Sequence, residues 1–259
     1  MTGSFDASSF SSSLEGDTPA SGLGRSQLMA AFGLAVVISI VLGLVPWGRK
    51  VIYPFSLFAT WAHEMGHGVG ALITGNSFKE LEIYQSLGGQ ALVGGADGWS
   101  QVVVSSLGLV GPPLLGAAVM IAGSRARTAP FVLASLAIVI ALSALIWIRN
   151  LFGFVAMLAI AAGLALIARF GPALVRVVVA QLLAVQLALS AWSNRDYLFI
   201  EGFERDGFQV SDTGRIAEEL FLPYWFWGAL LGGFGIVIIV WAFWVAWLRP
   251  LAHQGAAHV

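Results

Sequence analysis

Hydrophobic positions in this chain do not recur at the intervals of an amphipathic helix or strand; they come in long, nearly unbroken runs. Seven runs, at 26–47, 51–75, 101–123, 130–148, 151–170, 172–192 and 224–247, approach the ~20 residues a helix needs to cross a bilayer's hydrocarbon. The pattern predicts an all-α polytopic membrane protein with about seven transmembrane helices. Only Arg149-Asn150 separates the fourth run from the fifth, which predicts a tight helical hairpin. Trp47, Trp99, Trp147, Trp192, Trp225 and Trp247 fall near run ends, where an interfacial aromatic belt would sit.

The stretches between the runs complete the organisation. Residues 1–24 are rich in Ser, Gly, Asp and Thr and read as a disordered tail, and 250–259 as a flexible one. A single membrane domain, 25–249, lies between them. From Asn76 to Ser100 the chain is too polar and glycine-rich to span, with Gly88-Gly89 between two short apolar runs. That predicts a small β-hairpin or re-entrant segment after the second helix. Residues 193–223 form the longest polar connection and carry half of the acidic residues.

Composition agrees: 58% of the 259 residues are hydrophobic and 10% charged, against about 25% charged in soluble proteins. A net charge of −1 gives no reason to expect a nucleic-acid partner. With no cysteine, thiolate metal sites and cysteine nucleophiles are excluded, so any metal must be held by His, Asp or Glu.

The second run contains His63-Glu64-Met65-Gly66-His67. On a helix the two histidines, four apart, leave one face and can share an ion, while Glu64 can reach a water beside it. Imidazole and carboxylate groups inside an apolar segment are costly, which makes the cluster a functional candidate; hydrogen bonding between helices is the plainer account. Catalytic zinc generally has three protein ligands, so a carboxylate must complete the set. Asp196, closing the sixth run after Gln186, Ser190 and Ser193 on one helical face, is the first choice. Asp212 is the alternative and Asp97 the third. His253 and His258, in the tail, are set aside.

Gly66 and Gly70 make a face on which another helix can approach closely. Pro112-Pro113 inside the third run predicts a bend and freed carbonyls. Under seven crossings Arg49, Lys50, Arg125, Arg127, Arg169 and Arg249 share one side, with Arg25, Lys79, Arg149 and Arg195 opposite, a bias too small to orient the protein.

Taken together, His63-Glu64-Met65-Gly66-His67-Gly68, Leu72-Ile73-Thr74-Gly75, the block from Gly108 to Gly116, Arg149-Asn150-Leu151-Phe152-Gly153, the Asp196 region and Ser211-Asp212 leading into Leu222-Pro223 resemble, in order, the site-2-protease-type intramembrane metallopeptidases, and within them the B-like branch of peptidase family M50. The resemblance runs from about Trp61 to Trp227. It implies a Zn2+ site on His63, His67 and an aspartate from a later helix, with Glu64 as general base. The implied activity is zinc-dependent endopeptidase cleavage in or near a transmembrane segment of a membrane protein substrate. The segment from Asn76 to Ser100 is the candidate substrate clamp, and an integral plasma-membrane location is expected. The alternative is an inactive or metal-binding membrane scaffold or transporter.

Overall fold

The computed structural model describes residues 23–193, 198–204 and 208–249. Both tails, apart from residues 23 and 24, and Asp196 lie outside them. Among the described residues there are eight α-helices and two two-stranded sheets. They are α1 (Arg25–Leu44), α2 (Gly48–Ile73), β1 (Ser77–Ile83), β2 (Gly89–Gly94), α3 (Gly98–Ala122), α4 (Ala129–Ile146), α5 (Leu151–Phe170), α6 (Ala173–Ser193), β3 (Gly202–Glu204), β4 (Phe208–Val210), α7 (Asp212–Glu219) and α8 (Tyr224–Phe243). The last helix continues into a π-helical turn, Trp244–Leu248.

Seven of these helices match the seven apolar runs. Six of them (α1, α3, α4, α5, α6 and α8) are long and apolar enough to cross a membrane. The seventh, α2, has 26 residues but carries Arg49, Lys50, His63, Glu64 and His67, and it is not among the six. Helix packing explains how it differs. Ala31 of α1 clusters with Ala129 and Val177, and Ser39 further along α1 accepts a hydrogen bond from Gln186, so α1 runs parallel to α6. Gly123 of α3 abuts Ala180 while Gly116 abuts Leu187, so α3 runs antiparallel to α6. Helix α1 therefore ends, and α3 begins, at the same end of the bundle. Helix α2 and the hairpin that join them return to the end they left.

This connectivity redistributes the charge. Arg25 donates to the Trp247 carbonyl at 3.1 Å, and Arg176 to the Arg169 carbonyl at 3.2 Å. Arg25, Arg125, Arg127, Arg169, Arg176 and Arg249 thus gather at one end, while Arg49 and Lys50 move to the other with Lys79 and Arg149. The alternation expected from seven crossings fails because α2 does not add one.

The core is filled by the α2–α3 crossing, the α4–α5 hairpin and the inner faces of α3 and α6, with Phe58, Leu133, Ile140, Met157, Leu183 and Leu187 fully buried. Trp47, Trp99 and Trp225 are exposed as an interfacial belt requires. Trp147 and Trp247 turn inward instead: Trp147 stacks on Phe78 at 4.8 Å, and Trp247 packs on Phe32 at 5.2 Å. The buried Pro112 and Pro113 stay within one continuous helix, where Pro113 packs against Gly235 of α8.

Strand β1 pairs antiparallel with β2, Leu81 opposite Ala91 and Ile83 opposite Gly89. Its other edge is also used. The Leu81 N–H donates to the Trp147 carbonyl at 2.9 Å and its carbonyl accepts from Arg149 N–H at 3.1 Å. Ile83 N–H donates to Asn150 Oδ1 at 3.1 Å, and Asn150 Nδ2 donates back to the Ile83 carbonyl at 2.5 Å. The link between α4 and α5 therefore makes β1 the middle of a three-stranded arrangement, and β2 becomes its open edge.

Candidate metal centre

His63 and His67 project from one face of α2, their Nε2 atoms 3.2 Å apart and their rings nearly perpendicular. The helix is pressed onto α3 at that level. A Cβ on Gly66 would collide with the Leu107 carbonyl and lie 3.0 Å from Gly108 Cα, and one on Gly70 would lie 2.9 Å from Val104 Cα. Only glycine permits backbones this close. The approach brings the Val104 carbonyl within 3.0 Å of His67 Nδ1. A carbonyl only accepts, so Nδ1 carries the proton, and in the neutral ring Nε2 is left as a lone pair facing His63.

The third group comes from α7. Ser211 caps that helix: its Oγ accepts from Gly214 N–H at 3.0 Å and donates to the Ile200 carbonyl at 2.6 Å. Its own N–H donates to the Glu201 carbonyl at 2.9 Å. Asp212, the next residue, is fixed by this cap and buried at 6% exposure. Its Oδ2 lies 3.2 Å from His63 Nε2 and 3.4 Å from His67 Nε2, yet makes no hydrogen bond of acceptable geometry. Burial pushes the Asp212 carboxyl up, but the His67 and His63 imidazoles, when protonated, attract and donate to it strongly enough to hold the group well below the usual carboxylate range.

These three atoms form the one group of potential metal ligands found among the described residues. A tetrahedral ion with ligand bonds of about 2.0–2.1 Å has ligand–ligand edges of about 3.3–3.4 Å. The observed edges are 3.2, 3.2 and 3.4 Å. With both rings neutral, a carboxylate oxygen and imidazole lone pairs at these distances repel, and either a proton on a ring or a metal cation between the three atoms turns that into attraction. The donor set therefore fits a two-histidine, one-carboxylate zinc site.

Glu64, one step from His63, is also buried at 6% exposure and faces the sheet. A Cβ on Gly89 would sit 2.6 Å from Glu64 Cγ and 2.8 Å from its Oε1, and the Ala91 backbone N–H lies within hydrogen-bonding reach of the carboxylate. Strand alternation accounts for this. Leu81 and Ile83 direct their backbone groups towards Trp147, Arg149 and Asn150, so their partners Ala91 and Gly89 direct theirs to the open edge of β2. That edge runs beside Glu64. Helix α2 also holds the turn: Thr60 Oγ1 donates to the Leu87 carbonyl at 2.7 Å and Tyr53 OH to the Gln85 carbonyl at 2.9 Å.

A sequence description, Peptidase M50B-like, matches residues 33–242. The chain belongs to this family of membrane metallopeptidases. No curated protein and no solved structure matches it. Within this M50B-like chain, His63, His67 and the alternative aspartate Asp212 meet, and Glu64 lies next to them. Asp97 is instead at the head of α3, where its N–H bonds Ser100 Oγ at 3.0 Å. Gln186 of α6 turns to α1 and not to the histidines, donating to Ser39 at 3.2 Å. Asp196, the first choice for third ligand, lies outside the described residues, as do His253 and His258. Asn150 was not singled out as a site residue, although the Arg149-Asn150 break between two apolar runs marked its place.

Proposed function

We propose that this M50B-like chain is a zinc-dependent intramembrane endopeptidase of the plasma membrane that cleaves membrane proteins in or near their transmembrane segments. The observation that carries the reading is the tetrahedral spacing of His63 Nε2, His67 Nε2 and Asp212 Oδ2 beside a buried carboxylate on the same helix. In this reading the three residues hold Zn2+, with Asp212 rather than Asp196 as third ligand. The ion, when bound, would lower the pKa of a water to about 7 and polarise a scissile carbonyl. The chain's own residues do the rest. Val104 fixes the His67 tautomer, leaving Nε2 as the donor. Glu64 accepts the attacking water's proton and delivers it to the leaving amine.

A peptide bond inside a helix has its carbonyl hydrogen-bonded, so a transmembrane substrate must be drawn out locally before attack. The open edge of β2 offers backbone groups to an extended segment, and adding a strand there would lay the substrate beside Glu64.

The test is the zinc content of detergent-purified protein, followed by cleavage of membrane-protein substrates. Wild type should carry about one zinc per chain, lost in His67→Ala and Asp212→Ala and kept in Asp196→Ala. Glu64→Gln should keep zinc and lose cleavage. A folded wild type without zinc would remove the protease reading and leave the scaffold. Zinc lost with Asp196 but not Asp212 would remove the ligand assignment.

A further inference from the structure

Far from the metal centre, residues of the α4–α5 hairpin line a groove of about 660 Å³. Its walls are almost entirely small and apolar, with Ala134, Ala137, Ala141, Ala161 and Ala165 along its length. Along α4 it runs from Pro130 to Ala141. Eleven helical steps of about 1.5 Å make this roughly 16 Å, close to half the ~30 Å hydrocarbon thickness of a bilayer. The groove is therefore as long as one acyl chain in one leaflet.

One charged residue lines it, Arg169, at the end where α5 finishes and α4 begins. Arg176 holds that terminus from behind, donating to the Arg169 carbonyl at 3.2 Å and the Ile167 carbonyl at 3.4 Å. Arg125 and Arg127, both exposed, lie in the turn just before α4. Among the described residues no acidic side chain lies at this end: the acids of β1, the head of α3, the 198–204 segment and α7 all sit at the other. An apolar slot one leaflet deep thus opens onto a mouth at which the described residues place arginines and no acid.

We propose that this groove is a binding site for an anionic phospholipid. One acyl chain lies between α4 and α5, and the phosphate group is held by Arg169, with Arg125 and Arg127 adding attraction. A zwitterionic lipid fills the same slot but brings its own cation to a mouth that has several already. This makes the preference one of headgroup charge. The site is independent of the metal centre and does not rest on the peptidase reading.

The experiment is native mass spectrometry of the full chain with bound lipid counted, after incubation with phosphatidylglycerol or phosphatidylcholine in mixed micelles. One basic residue near a membrane surface contributes about a fivefold preference for anionic lipid. Wild type should retain phosphatidylglycerol at least fivefold better than phosphatidylcholine. Arg169→Gln should lose most of that preference. Ala165→Phe, which fills the slot and leaves the charges alone, should lower retention of both lipids. Arg149→Gln, at the opposite end, should change nothing. Equal retention of the two lipids by wild type would overturn the proposal. So would a preference that survives Arg169→Gln, or retention unaffected by Ala165→Phe, which would reduce the effect to diffuse charge attraction.

Discussion

The proposed zinc site depends on how closely α2 lies on α3, and a single methyl group tests that dependence. In Gly66→Ala the new Cβ would lie 2.8 Å from the Leu107 carbonyl carbon and 3.0 Å from Gly108 Cα, and closer still to the Leu107 oxygen. Comfortable carbon–carbon contact begins near ~3.5 Å, so the two backbones must separate by roughly 0.7 Å or more. His63 and His67 ride on α2, whereas Asp212 rides on α7, which packs against α3 and α8. Separating α2 from α3 therefore lengthens the histidine–aspartate edges. A metal site tolerates distance errors of only about 0.2 Å, so the displacement is about three times what coordination allows.

The expected result for Gly66→Ala is zinc affinity about 10–100-fold weaker, the range seen when support around metal ligands is removed, and about 1–3 kcal/mol lost to overpacking. Gly111→Ala, at the same crossing, meets only Ala62 O at 3.3 Å and Gly66 Cα at 3.4 Å. It should retain zinc and melt close to wild type. Gly33→Ala on α1, with open space around the new methyl, should be neutral. Affinity is read by competition with a chromogenic chelator in detergent and stability by thermal melting. If Gly66→Ala matches Gly111→Ala in both, the crossing does not set the site's geometry and the reasoning is refuted.

Other outcomes follow from the same geometry. Gly108→Ala would bring a methyl within 2.6 Å of His67 Nδ1, so the ring must swing from the Val104 carbonyl; zinc affinity should fall while Gly111→Ala retains it. Removing zinc with a chelator should lower the melting temperature of wild type and leave Asp212→Ala unchanged, measured in parallel scans. Asn150→Ala unties Ile83 from the α4–α5 link, leaving a buried N–H and carbonyl to find water. About 1–3 kcal/mol should be lost, with faster amide exchange in β1 and zinc content preserved. Thr60→Val removes the bond to the Leu87 carbonyl, and exchange at 84–88 should quicken without loss of zinc.

Much of this was legible because membrane chains write their elements in long runs. The apolar stretches place the helices with ends off by at most about four residues, and Gly88-Gly89 between short apolar runs marks the hairpin. The histidine pair and Glu64 were legible because a helix puts positions four apart on one face. The choice between Asp196 and Asp212 rested on which acid ended an apolar helix, a rule that says nothing of what the loop folds back upon. A local signal for Asp212 did exist: Ser211 before an acidic first turn and Gly214 is a helix start, and a capped helix fixes a side chain where a loop does not. Such starts are ordinary on solvated helices, so the signal gains meaning only once α7 is seen packed against α3. The inward turn of Trp147 and Trp247 was illegible for a similar reason. An indole near a helix end reads as interfacial until its neighbours, Phe78 and Phe32, are known.

The path of α2 was the least legible feature and bears most on the chemistry. Length and apolarity make 51–75 look like a crossing helix, which would put two imidazoles and a carboxylate deep in hydrocarbon at about 3 kcal/mol for a central charge. Packing of α1 along α6, through contacts more than a hundred residues apart in sequence, shows instead that α1 ends where α3 begins. Helix α2 and its hairpin then stay at that end of the bundle. The same residues that lower the apolarity of α2 fit a helix that does not cross: Arg49 and Lys50 stay at the end of the bundle where α1 ends, Glu64 lies against β2, and the histidines lie against α3 and Asp212. Hydrolysis needs a water and an extended peptide at one place, and neither is at home in the middle of a bilayer. In the proposed reading both meet beside Glu64, whose buried carboxylate lies against Gly89 at the open edge of β2.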